Sequence, residues 1–264
     1  MSSPLPLQLT DNLWLTAHDQ LRANGDRKLG AKPFGLGLAA GLLAELIMCK
    51  SLTLEAEQLH VQWVGRRHSH ELVPQPVNDQ LAPALGPVLD LLADADRRQN
   101  GLPQHRQGLR RTQGQPLRDW MSYLAVARPP GDDVYPHLTE RGCLAEELVL
   151  RRLSRTGCVV RERHRRLFGA AVERMMPRNA NVSGTPANRI STRLKYGEDL
   201  ETAELLLASL IVATSLHPDV LSTVGHQGWV ELDRQLKGLS VAQPMLDELL
   251  QVAESAIGDA AMAR

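Results

Sequence analysis

Aromatic residues are scarce: phenylalanine, tyrosine and tryptophan together make up 3% of the 264 residues. Single-stranded nucleic acid and splayed RNA bases are held largely by stacking on aromatic rings, so that mode of binding is disfavoured from the outset. An excess of one charge sign is missing as well. The 30 basic residues balance 30 acidic ones, which removes the broadly basic footprint of a DNA binder, and no nucleic-acid partner is expected. Cysteine is rare. Cys49, Cys143 and Cys158 show no CxxC spacing and cannot all pair, so reduced thiols in a cytoplasmic protein are expected. The apolar runs are short: 34–44 is followed by Glu45, and 205–213 is preceded by Glu204. Both fall below the roughly 20 residues that cross a bilayer. The segment 1–6 has no basic stretch leading into an apolar one, so no signal peptide is expected. Any membrane association is expected to be peripheral.

Catalytic signatures are also missing. There is no GxSxG, no phosphate-binding glycine loop and no HExxH. The chain is expected to be no enzyme, with no catalytic residue and no cofactor. His68 and His70 share a face if extended, with His60 upstream, but spacing fixes no third ligand, so no metal site is expected.

What is present is an apolar fraction of 43% organised mostly at helical spacing. Thr10-Asp11 reads as the cap of a short element through Leu13 and Leu15. Residues 34–50 are apolar nearly all round, the pattern of a helix at the centre of a fold. Leu52 to Trp63 alternates apolar with polar around 55–58, which predicts a β-hairpin. Further helices are predicted over 84–98, from Pro116 onward, and over 138–156, where Gly157 ends the run. Two strands joined by a tight turn are predicted over 158–163 and 166–175. Thr185-Pro186 reads as a helix start through Ile190 and Leu194. Glu198, Asp199, Glu201 and Glu204 suit the positive end of the next helix, which stops before Pro218, and a last helix covers 243–257. The expected architecture is mainly α with short β-hairpins, as one domain over 1–264.

Local charge is uneven beneath the zero net charge. Residues 97–118 hold six arginines and no acid, 151–178 hold nine arginines against Glu162 and Glu173, and 198–264 hold eleven acids against three bases. Within the second stretch Arg161, Arg163, Arg165 and Arg166 lead into Leu167 and Phe168 where a hairpin turn is predicted. Cations around a pair of large apolar side chains suit an anionic lipid surface. The same pair would equally pack on the core or on another subunit, and the basic middle would equally dock on an acidic protein partner or a second copy of the chain.

The order of several motifs resembles the Golgi phosphoprotein 3-like family over about residues 7–225. They are Leu9-Thr-Asp-Asn-Leu-Trp-Leu15, Gly37-Leu-Ala-Ala-Gly-Leu-Leu-Ala-Glu-Leu46 with Ser51-Leu-Thr-Leu54, Leu117-Arg-Asp-Trp120, Leu153 to Gly157, and Arg165-Arg-Leu-Phe-Gly169. The resemblance implies a helical fold with short hairpins and peripheral binding to phosphatidylinositol 4-phosphate. It also implies an adaptor for protein cargo rather than an enzyme, with the hairpin touching membrane or a neighbouring subunit. Where the family's headgroup pocket places arginines, this chain has Ala39, Cys143 and Glu146. A phosphomonoester needs several converging charge-assisted donors, which these three do not supply; Arg27, Lys28 and Arg141 are the candidate replacements.

Overall fold

The computed structural model describes residues 8–18, 31–65, 72–77, 82–100, 114–126, 143–164 and 172–263. Its elements run in the order α1 (Leu9–Ala17), α2 (Ala31–Met48), β1 (Leu52–Glu55), β2 (Gln58–Val61), β3 (Trp63–Gly65), β4 (Leu72–Pro74), α3 (Ala82–Asn100), β5 (Gln115–Pro116), α4 (Leu117–Val126) and α5 (Leu144–Arg155). These are followed by β6 (Val159–His164), β7 (Val172–Pro177), α6 (Ala180–Tyr196), α7 (Thr202–Ala213), α8 (His217–Val220), α9 (His226–Ala242) and α10 (Pro244–Met262). The fold is mainly α, with ten helices among the described residues.

Helix α2 is the hub. With no polar stripe, it has no face to offer water, and α1, α4, α5, α7 and α10 pack around it. By length and composition it would be able to cross a membrane, yet 83% of it is buried within the fold. It runs through Glu45, whose carboxylate is buried and paired rather than solvated. Gly41 lets α1 approach: a Cβ there would lie 2.5 Å from Thr10 Cγ2.

The strands form small antiparallel units. β1, β2 and β5 make one sheet in that order, with Leu52 opposite Val61 and Leu54 opposite Leu59. The two residues of the β1–β2 turn, Ala56 and Glu57, both have positive φ (52° and 59°), a geometry that Asn-Gly fits better. β3 pairs with β4 and β6 with β7.

Three local expectations are corrected. Thr10 and Asp11 do not hold the cap position of α1 but lie inside it and are buried; Gln8 is the N-cap, and Asp11 completes the cap from the third helical position by accepting from the Gln8 N–H at 3.0 Å. Pro116 is not in a helical first turn but pairs with Gln58 in the sheet, and α4 starts at Leu117. Thr185-Pro186 does not start α6. Asn179 caps it, its side chain accepting from the Val182 N–H at 3.0 Å, and places Pro186 inside the helix. Ser183 and Thr185 donate their hydroxyls back to the Ala180 and Asn181 carbonyls within that weakened turn. Of the strand expected over 166–175, β7 covers Val172 onward, with Val172 opposite His164; residues 165–171, where the tight turn is expected, lie outside the described residues. Of the helix expected over 138–156, α5 begins at Leu144 and residues 138–142 lie outside the described residues. Gly157 does end it, with φ +69°.

The sequence pattern gives no expectation for α9, whose buried stripe is Gly228, Leu232, Gln235 and Leu239. Only two of the four are large and apolar. Gln235 earns its place by hydrogen bonds, accepting from the Leu200 N–H at 2.8 Å and donating to the Glu198 carbonyl at 3.2 Å.

Left-handed backbone at a non-glycine residue costs about 1–2 kcal/mol. Ala56→Asn with Glu57→Gly is expected to stabilise the chain by about 1 kcal/mol, raising Tm by about 2–4 °C. Thermal unfolding measures it, and an unchanged or lower midpoint contradicts the turn assignment.

Candidate membrane-contact site

The β6–β7 hairpin grows out of the core. At its root Val159, Met176 and Pro177 are buried, whereas Arg161 and Glu162 are exposed. β6 lies against α5 and β7 against α6, so the hairpin is seated on two helices. Its register sets Glu162 opposite Arg174 and Arg163 opposite Glu173, while Arg161 is opposite Met175. Arg155, at the end of α5, and Arg178, just past β7, are exposed beside the root; neither was singled out by the motif reading.

Of the residues expected to touch a membrane, Arg161 and Arg163 lie on β6. Arg165, Arg166, Leu167 and Phe168 lie outside the described residues, as do the candidate headgroup ligands Arg27, Lys28 and Arg141. The positions aligned with the family's headgroup arginines are described. Ala39 is fully buried, Cys143 is the buried N-cap of α5, and the buried Glu146 accepts from the Trp14 indole N–H at 3.3 Å. Trp14 in turn stacks on His18 with ring centroids 3.7 Å apart, and His18 Nδ1–H donates to the Trp14 carbonyl at 2.7 Å. An apolar side chain, a thiol and a carboxylate offer a phosphate no cation, and the carboxylate repels it.

A separate groove of about 460 Å³ opens beside α8, lined by His217, Leu221, Val224 and Trp229 among others. It has no lysine or arginine in its lining, so it does not suit an anionic headgroup. Among the described residues no group of three histidine, cysteine or acidic side chains is arranged to hold a metal.

The local charge count changes once pairs are drawn. Arg151 is bound to Glu147 on its own helix, and Arg152 points inward. Arg152 Nε donates to Asp11 Oδ1 at 2.8 Å, Nη1 to Glu45 Oε2 at 2.8 Å, and Nη2 to the Thr10 hydroxyl and to Glu45 Oε1. Arg151 and Arg152 are thus engaged in internal pairs. The acidic C-terminal third is also partly answered. Glu204 binds Arg189 at 2.6 Å and Arg193 at 2.7 Å, Asp199 and Glu231 bind Arg234, Asp233 binds Lys237, and Asp259 binds Arg118. The Arg152 cluster escaped the motif reading because its members are 107 and 141 positions apart; an arginine on the apolar side of a helix was the available signal.

Arg152→Met, which leaves two buried carboxylates without their cation, is expected to cost about 3–5 kcal/mol. Adding Asp11→Leu and Glu45→Met should restore much of that loss, because the uncompensated charges go with it. Urea unfolding of both variants checks this; a single variant as stable as the wild type contradicts it.

No curated protein matches the chain. The sequence model of the Golgi phosphoprotein 3 (GPP34) family matches residues 9–256, from α1 into α10 and so beyond the 7–225 that the motifs cover. The chain belongs to the Golgi phosphoprotein 3 family.

Proposed function

We propose that this protein is a non-catalytic peripheral membrane module that binds anionic phospholipid through the β6–β7 hairpin. The observation that carries the reading is a hairpin anchored in the core at Val159 and Met176, exposed at Arg161 and Glu162 and flanked by the exposed Arg155 and Arg178. Its two strands are bridged by the sequence Arg165-Arg-Leu-Phe168. Membership of a family that binds phosphatidylinositol 4-phosphate and acts by adaptation rather than catalysis supports it. The buried Ala39, Cys143 and Glu146 favour recognition by charge over recognition of one phosphorylated headgroup. On this reading the protein is cytoplasmic and peripheral, and any protein cargo is brought to the surface it occupies.

The energetics suit reversible docking. Burying Leu167 and Phe168 in the lipid interface contributes about 1.5–3 kcal/mol each. Each arginine near an anionic leaflet adds about 1 kcal/mol, and association offsets part of the sum.

A second reading, an oligomeric or protein-docking accessory protein without lipid binding, draws on the acidic C-terminal third. Its support is reduced by the internal pairs that Arg189, Arg193, Arg234 and Lys237 make there.

Co-sedimentation with vesicles separates the two. Binding is expected to require anionic lipid and to weaken as salt rises. Arg165→Glu with Arg166→Glu, and Leu167→Asp with Phe168→Asp, should each lower it by about tenfold or more. Equal binding to neutral and anionic vesicles, or none to either, overturns the lipid reading.

A further inference from the structure

Arg152 offers one positive charge to two carboxylates, and the three groups are at most 3% exposed. Fully ionised, the cluster would hold an uncompensated negative charge away from water, a state that buried acids avoid by taking up a proton. Hydrogen bonding selects which acid does so. Glu45 accepts from four donors: the Thr10 N–H and hydroxyl, both at 2.8 Å on Oε1, and Arg152 Nη2 and Nη1. Asp11 accepts from two, Arg152 Nε on Oδ1 and the Gln8 N–H at 3.0 Å on Oδ2. The less satisfied carboxylate is the one to protonate.

We propose that Asp11 is a proton switch on the N-terminal helix: protonated in mild acid, it lets α1 clamp tightly onto α2 and α5, and on losing its proton it loosens that clamp. The inference rests on the cluster alone and is independent of lipid binding.

The charges around Asp11 are consistent with this direction. Burial pushes its carboxyl up from 3.8 to about 6; Arg152 on α5 opposes the rise and Glu45 on α2 adds to it. Helices α6 and α7 also pack against α1. Their Arg189, Arg193 and Glu204 are tied to one another rather than to Asp11. A carboxyl with a raised folded-state value favours the fold below its unfolded value of 3.8, and that contribution fades as pH climbs through about 6. Trp14, on the same helix, carries the effect toward Glu146 and His18.

A residue-resolved 13C-carboxyl NMR titration of the full wild-type chain between pH 5 and 8 tests the switch without a variant. Asp11 is expected to titrate with a midpoint near 6, and in Glu45→Gln to titrate lower, toward the ordinary carboxylate range. Amide protection of α1, corrected for intrinsic exchange, should fall as pH rises from about 5 to about 7 in the wild type, with most of the loss below about 6.5, and stay flat in Asp11→Asn. Asp11 ionised throughout the range, or α1 protection that is unchanged across it in the wild type, overturns the proposal. So does the same fall in Asp11→Asn.

Discussion

One buried arginine ties the N-terminal helix to the centre of the fold. Arg152 projects from α5 between α1 and α2 and binds a carboxylate on each, with the Thr10 hydroxyl closing the cluster. Partners sit on all its sides because a guanidinium in a dry interior is tolerated only when its donors are met. Gly41 allows the approach by which Thr10 and Glu45 meet. The same arginine lies one turn before the end of α5, from which the chain passes through Gly157 into β6. The internal charge network and the root of the basic hairpin are therefore built on one helix.

That arrangement divides the arginines of 151–178 into two jobs. Arg152 is structural, and Arg151 is occupied by Glu147. Arg155, Arg161 and Arg178 are exposed around the hairpin root. A surface of this kind attracts anionic headgroups by field rather than by a fitted cradle, and such attraction is screened by salt within about 10 Å at 0.1 M. At Glu146, where the resemblance implies a cation, the described interior instead holds a carboxylate that accepts from Trp14.

Much of the helical skeleton was legible, because apolar residues recur at helical spacing and α2 is apolar all round. The β1–β2 hairpin was legible from its alternation. Errors came where a local signal had a stronger competitor. Thr10-Asp11 has cap chemistry, yet Gln8 takes the cap position, and Asp11 serves both the Gln8 N–H and Arg152 from inside the helix. Thr185-Pro186 has start chemistry, yet Asn179 satisfies the Val182 N–H a turn and a half earlier. α9 was hidden because a buried glutamine and glycine stand where large apolar residues would announce the stripe. For the site, the basic hairpin was visible as a charge pattern. That Arg152 is bound inside the fold was not, because long-range pairs leave no spacing signal in the sequence.

On the proposed reading the protein works by adhering to a bilayer rather than by transforming a substrate. Hydrogen–deuterium exchange of the full chain, with and without anionic vesicles, tests that claim most directly. The account predicts new protection concentrated in residues 159–177, absent with neutral vesicles and diminished at high salt. Protection centred elsewhere, or no change on adding anionic vesicles, would contradict it.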